Sequence, residues 1–413
     1  MQYPESCASL YPPRQLCYNP HSSSSLAEAC NLNPPHSISA AALVPQDSRF
    51  AAAFQILEQA IAGRAFPGAC LAVTNSTELL ALKAFGRFTF EPASSPVTSA
   101  TLFDLASVTK VVATTSMAMV LYERGLLDLD ATVAGIVPDF VSASPETKHD
   151  PRRQAVTVRM LLAHTSGLAA HEKFYLQART REDLLHGVYS SPLQSDPGVH
   201  STYSDIGFIL LGVLLERIAG EPLDVFCQRE IFGPLGMIST TFKPPSEIRP
   251  QIPPTADETG ENAFRGHIIQ GEVQDENASV LGGVAGHAGL FSTAEDLSRF
   301  ARAMLQRGRP ILRPETVALF TRQEPAVAQG SHALGWDTPS APSQSGKYFG
   351  EHSFGHLGYT GTSLWIDPER ELSITLLTNR TWPDCANHAI KRIRPLVHDA
   401  VVEALTNDPG RSR

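Results

Sequence analysis

The sequence predicts an α/β protein of the α+β type, in which helices flank an antiparallel sheet and a mostly helical lobe is inserted. Strand-like apolar runs occur early, at about residues 68 to 90, and return late at GTSLWID and LSITLLTN. Between these runs, apolar residues recur at helical spacing in VTVRMLLAH and IGFILLGVLLERIAG. Strands near both ends with helices between them favour helices packed on one antiparallel sheet.

The chain length predicts two lobes, because single hydrophobic cores stop growing near about 250 to 300 residues and this chain has 413. Residues 1–45 are rich in Ser and Pro, which predicts a disordered tail. Changes in composition divide the rest of the chain into three regions. The first part of the sheet-and-helix lobe is predicted at 46–125, the mostly helical lobe at 126–280 and the second part of the sheet-and-helix lobe at 281–407.

Composition excludes several classes of protein. An apolar content of 42% with a net charge of −9 and no Lys/Arg cluster argues against nucleic-acid binding. No run approaches the roughly 20 apolar residues of a membrane span. The first residues lack a secretory signal pattern, so we expect a cytoplasmic protein. The sequence does not indicate an oligomeric state.

The first folded elements are a helix and a hairpin. DSRFAAAFQILEQAIAG has helical apolar spacing and stops at Gly63. GACLAVTNSTELLALKAFGRFTF contains two apolar runs separated by NSTE, which predicts a β-hairpin. From Leu105 to about Gly125 the chain is largely apolar and predicts a long buried helix.

The last elements complete the sheet. AEDLSRFARAMLQRG predicts a helix with Ser292 or Thr293 at its start. The turn PERE joins the two late strands, and CANHAIKRIRPLVHDAVVEAL predicts a final amphipathic helix that covers one face of the sheet.

Ser107 and Lys110 form an S-x-x-K pair at the start of the buried helix. Residues three apart share a helix face, so the lysine lies one turn from the serine hydroxyl. A serine becomes nucleophilic when a neighbour takes its proton, and a lysine can do so when its pKa is lowered. The alternative is a capping serine followed by a lysine that reaches to solvent.

Two further patterns could belong to the same site. Tyr203, in YSD, lies between a loop and a helix, where its hydroxyl could face a cleft beside a lysine; a tyrosine that only covers the core is the alternative. His356 and Gly358 precede a late strand, and glycine there lets backbone amides approach an oxyanion. A structural role is the alternative for His356.

In this order, the three motifs resemble those of the serine β-lactamase and penicillin-binding-protein superfamily, and most closely its class C-like branch with family VIII carboxylesterases and related amidases. The resemblance covers about residues 48 to 405 and includes LFDLASVTK, VTVRMLLAHTSGL, GHAGLFSTAEDLSRFA and TGTSLWIDPE. The resemblance implies that Ser107 is the nucleophile and that Lys110 and Tyr203 carry its proton, and it leaves open which of the two is the general base. It also implies that the backbone amides of Ser107 and Tyr359 form the oxyanion hole.

Two departures from the family pattern concern the substrate. Asp205 stands where many β-lactam-binding relatives have an asparagine, and a carboxylate cannot donate a hydrogen bond. His356 replaces a lysine and is expected to be only partly charged near neutral pH. We assign Asp205, His356, Gly358 and His287 to substrate binding. The alternative for Asp205 is that it holds Lys110 charged and oriented, and the alternative for His287 is a structural turn. His164 is expected to be a packing residue.

The predicted activity is hydrolysis of small acyl esters through an acyl-enzyme, with weak β-lactam hydrolysis as an added possibility. The alternatives are an amidase or peptidase acting on peptidoglycan-derived fragments and a penicillin-recognising binding module. We expect a small-molecule acyl ester or amide as the partner and no cofactor. No metal is expected either, because glycines and a strand follow the i, i+4 pair His352 and His356.

Overall fold

The computed structural model describes residues 48–261, 263–324 and 331–406, and the predicted tail at 1–45 lies outside them. The strands are β1 Gly68–Asn75, β2 Leu79–Gly86, β3 Phe103–Asp104, β4 Thr241–Phe242, β5 Pro254–Asp257, β6 Ile268–Gln270, β7 Leu290–Ser292, β8 Phe354–Leu357, β9 Ser363–Asp367 and β10 Leu372–Thr378. The predicted hairpin and the two predicted late strands are therefore present.

The α-helices surround these strands and occupy most of the middle of the chain. They are α1 Ala51–Ala62, α2 Ser116–Glu123, α3 Val133–Ile136, α4 Asp139–Ser142, α5 Pro145–Lys148, α6 Val158–Leu162, α7 Arg181–Ser190, α8 Asp205–Ala219, α9 Leu223–Cys227, α10 Gly233–Leu235, α11 Glu276–Val280, α12 Ala294–Leu305, α13 Pro314–Thr321 and α14 Ile390–Thr406. Among these helices, none combines the length and the apolar character that a membrane span needs.

A five-stranded antiparallel sheet has the order β2-β1-β10-β9-β8. Strands from the two ends of the described chain meet at its centre, where Ala69 of β1 pairs with Thr378 of β10. This pairing confirms the predicted fold class. Two smaller sheets, β3-β7-β4 and β5-β6, lie in the described residues outside this sheet.

Both faces of the large sheet are covered, because alternate residues of β1 enter different cores. Leu71 and Val73 belong to the core that contains α1 and α14. Cys70 and Ala72 face the other core, which includes α12 and the long buried helical segment. The final helix covers one face, as its amphipathic pattern predicts.

The predicted buried helix is continuous from Ala106 but irregular. It begins as a 3-10 turn at Ala106–Val108, widens into π-helical turns at Lys110–Thr115 and continues as α2. Every residue from Lys110 to Leu121 is buried. Wide turns inside helices are frequent at functional sites, and this one begins at the lysine of the S-x-x-K pair.

The described residues all belong to one compact unit, Ser39–Arg413. The region 126–280 contains eight short or medium helices, α3–α10, and three short strands before α11. The boundaries 46–125, 126–280 and 281–407 remain predictions about regions within this unit.

Candidate active site

Ser107 lies in the tight turn that joins β3 to the buried helical segment. Its neighbour Ala106 has a φ of +46°, a left-handed conformation that costs a non-glycine residue roughly 1 kcal/mol. Asp104 stabilises the turn, because its Oδ1 accepts a hydrogen bond from the Ala106 amide at 2.8 Å and its Oδ2 accepts one from the Gln274 amide at 2.6 Å. Strain of this kind clusters at functional sites.

Lys110 is fully buried and its ammonium group has three hydrogen-bond acceptors. Nζ donates to Ser107 Oγ at 3.0 Å, to Asp205 Oδ1 at 2.7 Å and to the His287 carbonyl at 3.1 Å. Burial, the largest single influence, would lower the pKa of Lys110, but the charges and hydrogen bonds of Asp205 and Tyr203 together outweigh it and the pKa is raised. The resting lysine is therefore an ammonium ion, and the lowered pKa that a lysine base requires is not observed.

Tyr203 lies beside this lysine, immediately before the start of α8. Ser204 caps that helix, since its Oγ accepts a hydrogen bond from the Gly207 amide at 3.0 Å, and this cap holds the preceding tyrosine in position. Lys110 Nζ is 4.9 Å from the centroid of the Tyr203 ring. Burial raises the pKa of Tyr203 to about 12 although Lys110 and Ser107 oppose the shift, so the resting phenol is protonated.

Asp205 is the first residue of α8 and connects two basic groups. Its Oδ1 contacts Lys110, and its Oδ2 is 3.7 Å from Nδ1 of His171. Burial would raise the pKa of Asp205, but Lys110 and His171 hold it far below its usual value. The carboxylate is thus used to hold the lysine. No sequence pattern indicates His171, because the loop that carries it reaches Asp205 only in the folded chain.

The turn after β8 carries the Tyr359 amide. A Cβ atom on Gly358 would lie 1.9 Å from Thr362 Oγ1 and 2.4 Å from the Leu105 carbonyl, so only glycine fits there. Thr362 Oγ1 donates to the Leu105 carbonyl at 2.9 Å. These contacts bring the backbone around Tyr359 against the backbone that leads to Ser107, as an oxyanion hole built from the two amides requires.

Arg380, which the sequence analysis did not single out, supports this turn. Its Nε donates to the Tyr359 carbonyl at 2.8 Å, and its guanidinium lies 4.6 Å from the centre of the Tyr359 ring. Its Nη1 donates to the Cys385 and Asn387 carbonyls. No motif could have indicated this role, because it depends on a loop after β10 that folds back over the turn.

His356 lies in β8 with a buried ring 5.9 Å from that of Tyr203. Burial and the nearby Lys110 charge lower the pKa of His356 to about 3, so the expectation of partial charge near neutral pH was wrong. Nδ1 is 2.8 Å from the Leu357 carbonyl. Nδ1 must therefore carry the single proton of the neutral ring, which leaves Nε2 as a hydrogen-bond acceptor.

His287 contributes to the site through its backbone. Its carbonyl accepts from Lys110, whereas its ring is only 1% exposed and its Nε2 is 2.8 Å from Asp275 Oδ1. A substrate could not touch this ring without rearrangement of the loop, so the geometry favours the structural role over the assigned substrate contact. Asn277, beside Asp275, holds another loop through the Tyr175 amide and the Glu172 carbonyl.

The buried His356 makes stability depend on pH. Its folded-state pKa of about 3 lies below the roughly 6.5 of an unfolded chain. Its contribution to the free energy of unfolding is therefore complete above about pH 6.5 and is lost as the pH falls towards 3. His356→Asn keeps a donor for the Leu357 carbonyl but cannot titrate, so we expect it to lose less stability than the wild type between pH 7.5 and 4.5.

Urea unfolding of both proteins at the two pH values measures this effect. Comparing the loss of unfolding free energy in the wild type with the loss in the variant cancels the contributions of other titrating groups. Equal losses in the wild type and the variant would contradict a neutral buried His356.

A serine three residues before a buried lysine, at the start of a helix beside an antiparallel sheet, is the arrangement of a class of serine hydrolases. The protein-family profile described as "Beta-lactamase" matches residues 53–397. The chain belongs to the beta-lactamase family, which confirms the resemblance inferred from the motifs.

Curated relatives and a solved structure agree with this assignment. An N-acetylmuramyl-L-alanine amidase of Bacillus subtilis (strain 168) is 32% identical over 79% of this chain and 80% of the relative. A putative D-alanyl-D-alanine carboxypeptidase of Escherichia coli (strain K12) is 30% identical over 68% of this chain and 70% of the relative. The structure of EstCE1, a hydrolase with promiscuous acyltransferase activity, has a TM-score of 0.69 at 23% identity and covers 87% of this chain and 99% of its own, which shows a shared fold.

Proposed function

We propose that this protein hydrolyses its substrate through an acyl-enzyme formed on Ser107. The observation that carries the proposal is the buried Lys110 ammonium 3.0 Å from Ser107 Oγ, held by Asp205 next to the Tyr203 ring. A buried, hydrogen-bonded cation at this place stabilises a serine oxyanion and allows proton transfer. A purely structural lysine would have no reason to contact both a partly exposed serine and a tyrosine phenol.

The proposed reaction starts from the form of the Lys110–Tyr203 pair that has released one proton, because only this form can accept the proton of Ser107. Ser107 Oγ attacks the acyl carbon and its proton passes to this pair. The oxyanion accepts hydrogen bonds from the Ser107 and Tyr359 amides. The pair then protonates the leaving amine or alcohol as its bond to the acyl carbon breaks. Water attacks the acyl-serine in the same way, and Ser107 recovers its proton.

The groups around Ser107 favour a substrate whose acyl part is neutral. The Lys110 ammonium is occupied by Asp205, and the neutral His356 presents an acceptor instead of a cation. Neither group is suited to hold a carboxylate next to the reacting carbon. An acyl group that carries hydroxyl or amide N–H donors suits these acceptors better. The site thus gives little support to a carboxypeptidase that recognises a terminal carboxylate.

Within this class we propose the amide bond of N-acetylmuramyl peptides as the natural target, with small acyl esters as the activity most easily measured. The relative named as an N-acetylmuramyl-L-alanine amidase supports the amide. A muramyl group also brings neutral hydroxyl and amide donors close to the bond that is cleaved. Esters react more easily with an acyl-transfer nucleophile because an alkoxide leaves without prior protonation, whereas an amide nitrogen must first be protonated.

The test uses the purified full chain. Intact-mass spectrometry during incubation with a p-nitrophenyl ester is expected to detect an acyl group on Ser107 while p-nitrophenol release continues. Liquid chromatography should detect cleavage of an N-acetylmuramyl-L-alanyl peptide, with the same peptide without the sugar as the matched control. Ester turnover without cleavage of the muramyl peptide would restrict the protein to esters. A persistent adduct without turnover would favour a penicillin-recognising binding module.

Asp205→Asn is expected to improve acylation by a β-lactam relative to ester turnover, by about tenfold, because an asparagine amide can donate to a substrate carbonyl. The loss of the carboxylate should also remove the charge that raises the pKa of Lys110. Nitrocefin and p-nitrophenyl acetate assays measure the ratio. Asp275→Asn changes the same chemical group without touching Lys110 and is the matched control. A gain of less than about twofold would contradict the prediction that β-lactam acylation is limited by the lack of a hydrogen-bond donor at position 205.

A further inference from the structure

His164 holds the backbone on both sides of Tyr203. It follows α6 with a φ of +58°, a left-handed conformation rare for histidine. Its carbonyl accepts a hydrogen bond from the Thr202 amide at 2.8 Å, and its Nδ1 accepts one from the Ser204 amide at 3.0 Å. The residues on both sides of Tyr203 are therefore hydrogen-bonded to His164.

The His164 ring also packs on the Tyr203 ring. The two ring centroids are 4.7 Å apart, and the Phe208 and His332 rings lie 5.0 Å and 4.8 Å from His164. His164 is only 2% exposed, so it cannot contact a substrate. Within the described part of the chain, its Nε2 has no hydrogen-bond partner. The one hydrogen bond that the structure gives the ring is thus the one to Ser204.

We propose that His164 is a positioning residue that fixes the hydroxyl of Tyr203 for proton transfer, an inference that rests on the proposed role of Tyr203. A phenol is moved by shifts of the backbone that carries it, and the two hydrogen bonds prevent such shifts. The His164 ring, packed at an angle of 39° against the phenol, limits its rotation about the side-chain bonds. A misplacement of about 1 Å can reduce the rate of a catalysed step about 100-fold. His164 thus acts on the reaction through Tyr203.

Substitutions can separate positioning from simple filling of space. Asparagine places its amide oxygen near the position of Nδ1 and tolerates a left-handed conformation, so His164→Asn keeps the bond to Ser204. Glutamine is closer to histidine in size, but its amide lies near the position of Nε2. His164→Gln therefore retains more volume and loses the hydrogen bond. A packing role predicts that glutamine is the better replacement, whereas a positioning role predicts asparagine.

The experiment measures kcat, KM and melting temperature of the full-length variants with a p-nitrophenyl ester. We expect His164→Asn to keep kcat within about fivefold of the wild type and His164→Gln to lose at least about 30-fold, with KM changed less than about threefold in both. His164→Leu has nearly the shape of the asparagine variant but no acceptor near the position of Nδ1, so it should lose kcat like glutamine. It replaces the glutamine variant if that protein does not fold.

Equal kcat values for the asparagine variant and the glutamine or leucine variant would overturn the inference. Tyr203→Phe in the same assay distinguishes this failure from a failure of the proposed function. If Tyr203→Phe is inactive and the His164 variants do not differ, His164 has no positioning role. If Tyr203→Phe keeps full activity, the role of Tyr203 itself is wrong.

Discussion

Ser107→Ala is expected to reduce hydrolysis of a p-nitrophenyl ester to less than about 1% of the wild-type rate, because no other group can form the acyl-enzyme. The protein should remain folded, since Ser107 Oγ has a hydrogen bond to Lys110 but fills no apolar core. Initial rates and circular dichroism of the purified variant measure both quantities. A fluorophosphonate probe should label the wild type and leave the variant unlabelled.

An exposed serine provides the control for this substitution. Ser142, in α4, donates a hydrogen bond to the Pro138 carbonyl at 3.0 Å, far from any residue of the candidate site in the sequence, so Ser142→Ala should keep wild-type activity and probe labelling. Activity of Ser107→Ala above about one tenth of the wild-type rate would show that the nucleophile is a different group.

Lys110→Met is expected to lower kcat/KM by roughly 1,000-fold, because the charge that assists both the nucleophile and Tyr203 is removed. The same substitution leaves the Asp205 carboxylate without its partner at 2.7 Å. An unpaired, largely buried charge is costly, and we expect the free energy of unfolding to fall by about 3 kcal/mol. Ester hydrolysis and urea unfolding measure the two effects.

A double variant separates the two roles of Lys110. In Lys110→Met/Asp205→Asn both members of the ion pair are neutral, so most of the lost stability should return. The activity should not return, because the ammonium group is still absent. Recovery of activity in the double variant would mean that Lys110 serves stability alone.

Local patterns predicted the elements whose geometry depends on neighbours in sequence. The late helix α12 begins after Thr293, whose hydroxyl accepts from the Asp296 amide at 3.1 Å, as the capping pattern indicates. Ser107 and Lys110 were predicted to meet because residues three apart share a helix face. In the structure their polar atoms are 3.0 Å apart.

Contacts between distant segments could not be predicted in this way. Asp205 is 95 residues from Lys110, and the His287 carbonyl is 177 residues from it. Their meeting depends on how α8 and the loop before β7 pack against the helical segment. The sequence singled out Asp205 and His287 as substrate contacts, with a role in holding Lys110 as the alternative for Asp205 and a structural turn as the alternative for His287. In the structure they surround the lysine.

The sequence by itself predicted the fold class, the order of the elements and the pairing of the serine and lysine of the candidate site, because these follow from periodic patterns and from spacing within one helix. The tertiary structure alone decided the charge states. Burial keeps His356 and Tyr203 neutral, whereas the charges and hydrogen bonds around Lys110, those of Asp205 foremost, together keep it an ammonium ion against its burial. A pKa depends on the solvent and charges that surround a group in space, and the order of residues along the chain does not specify those surroundings.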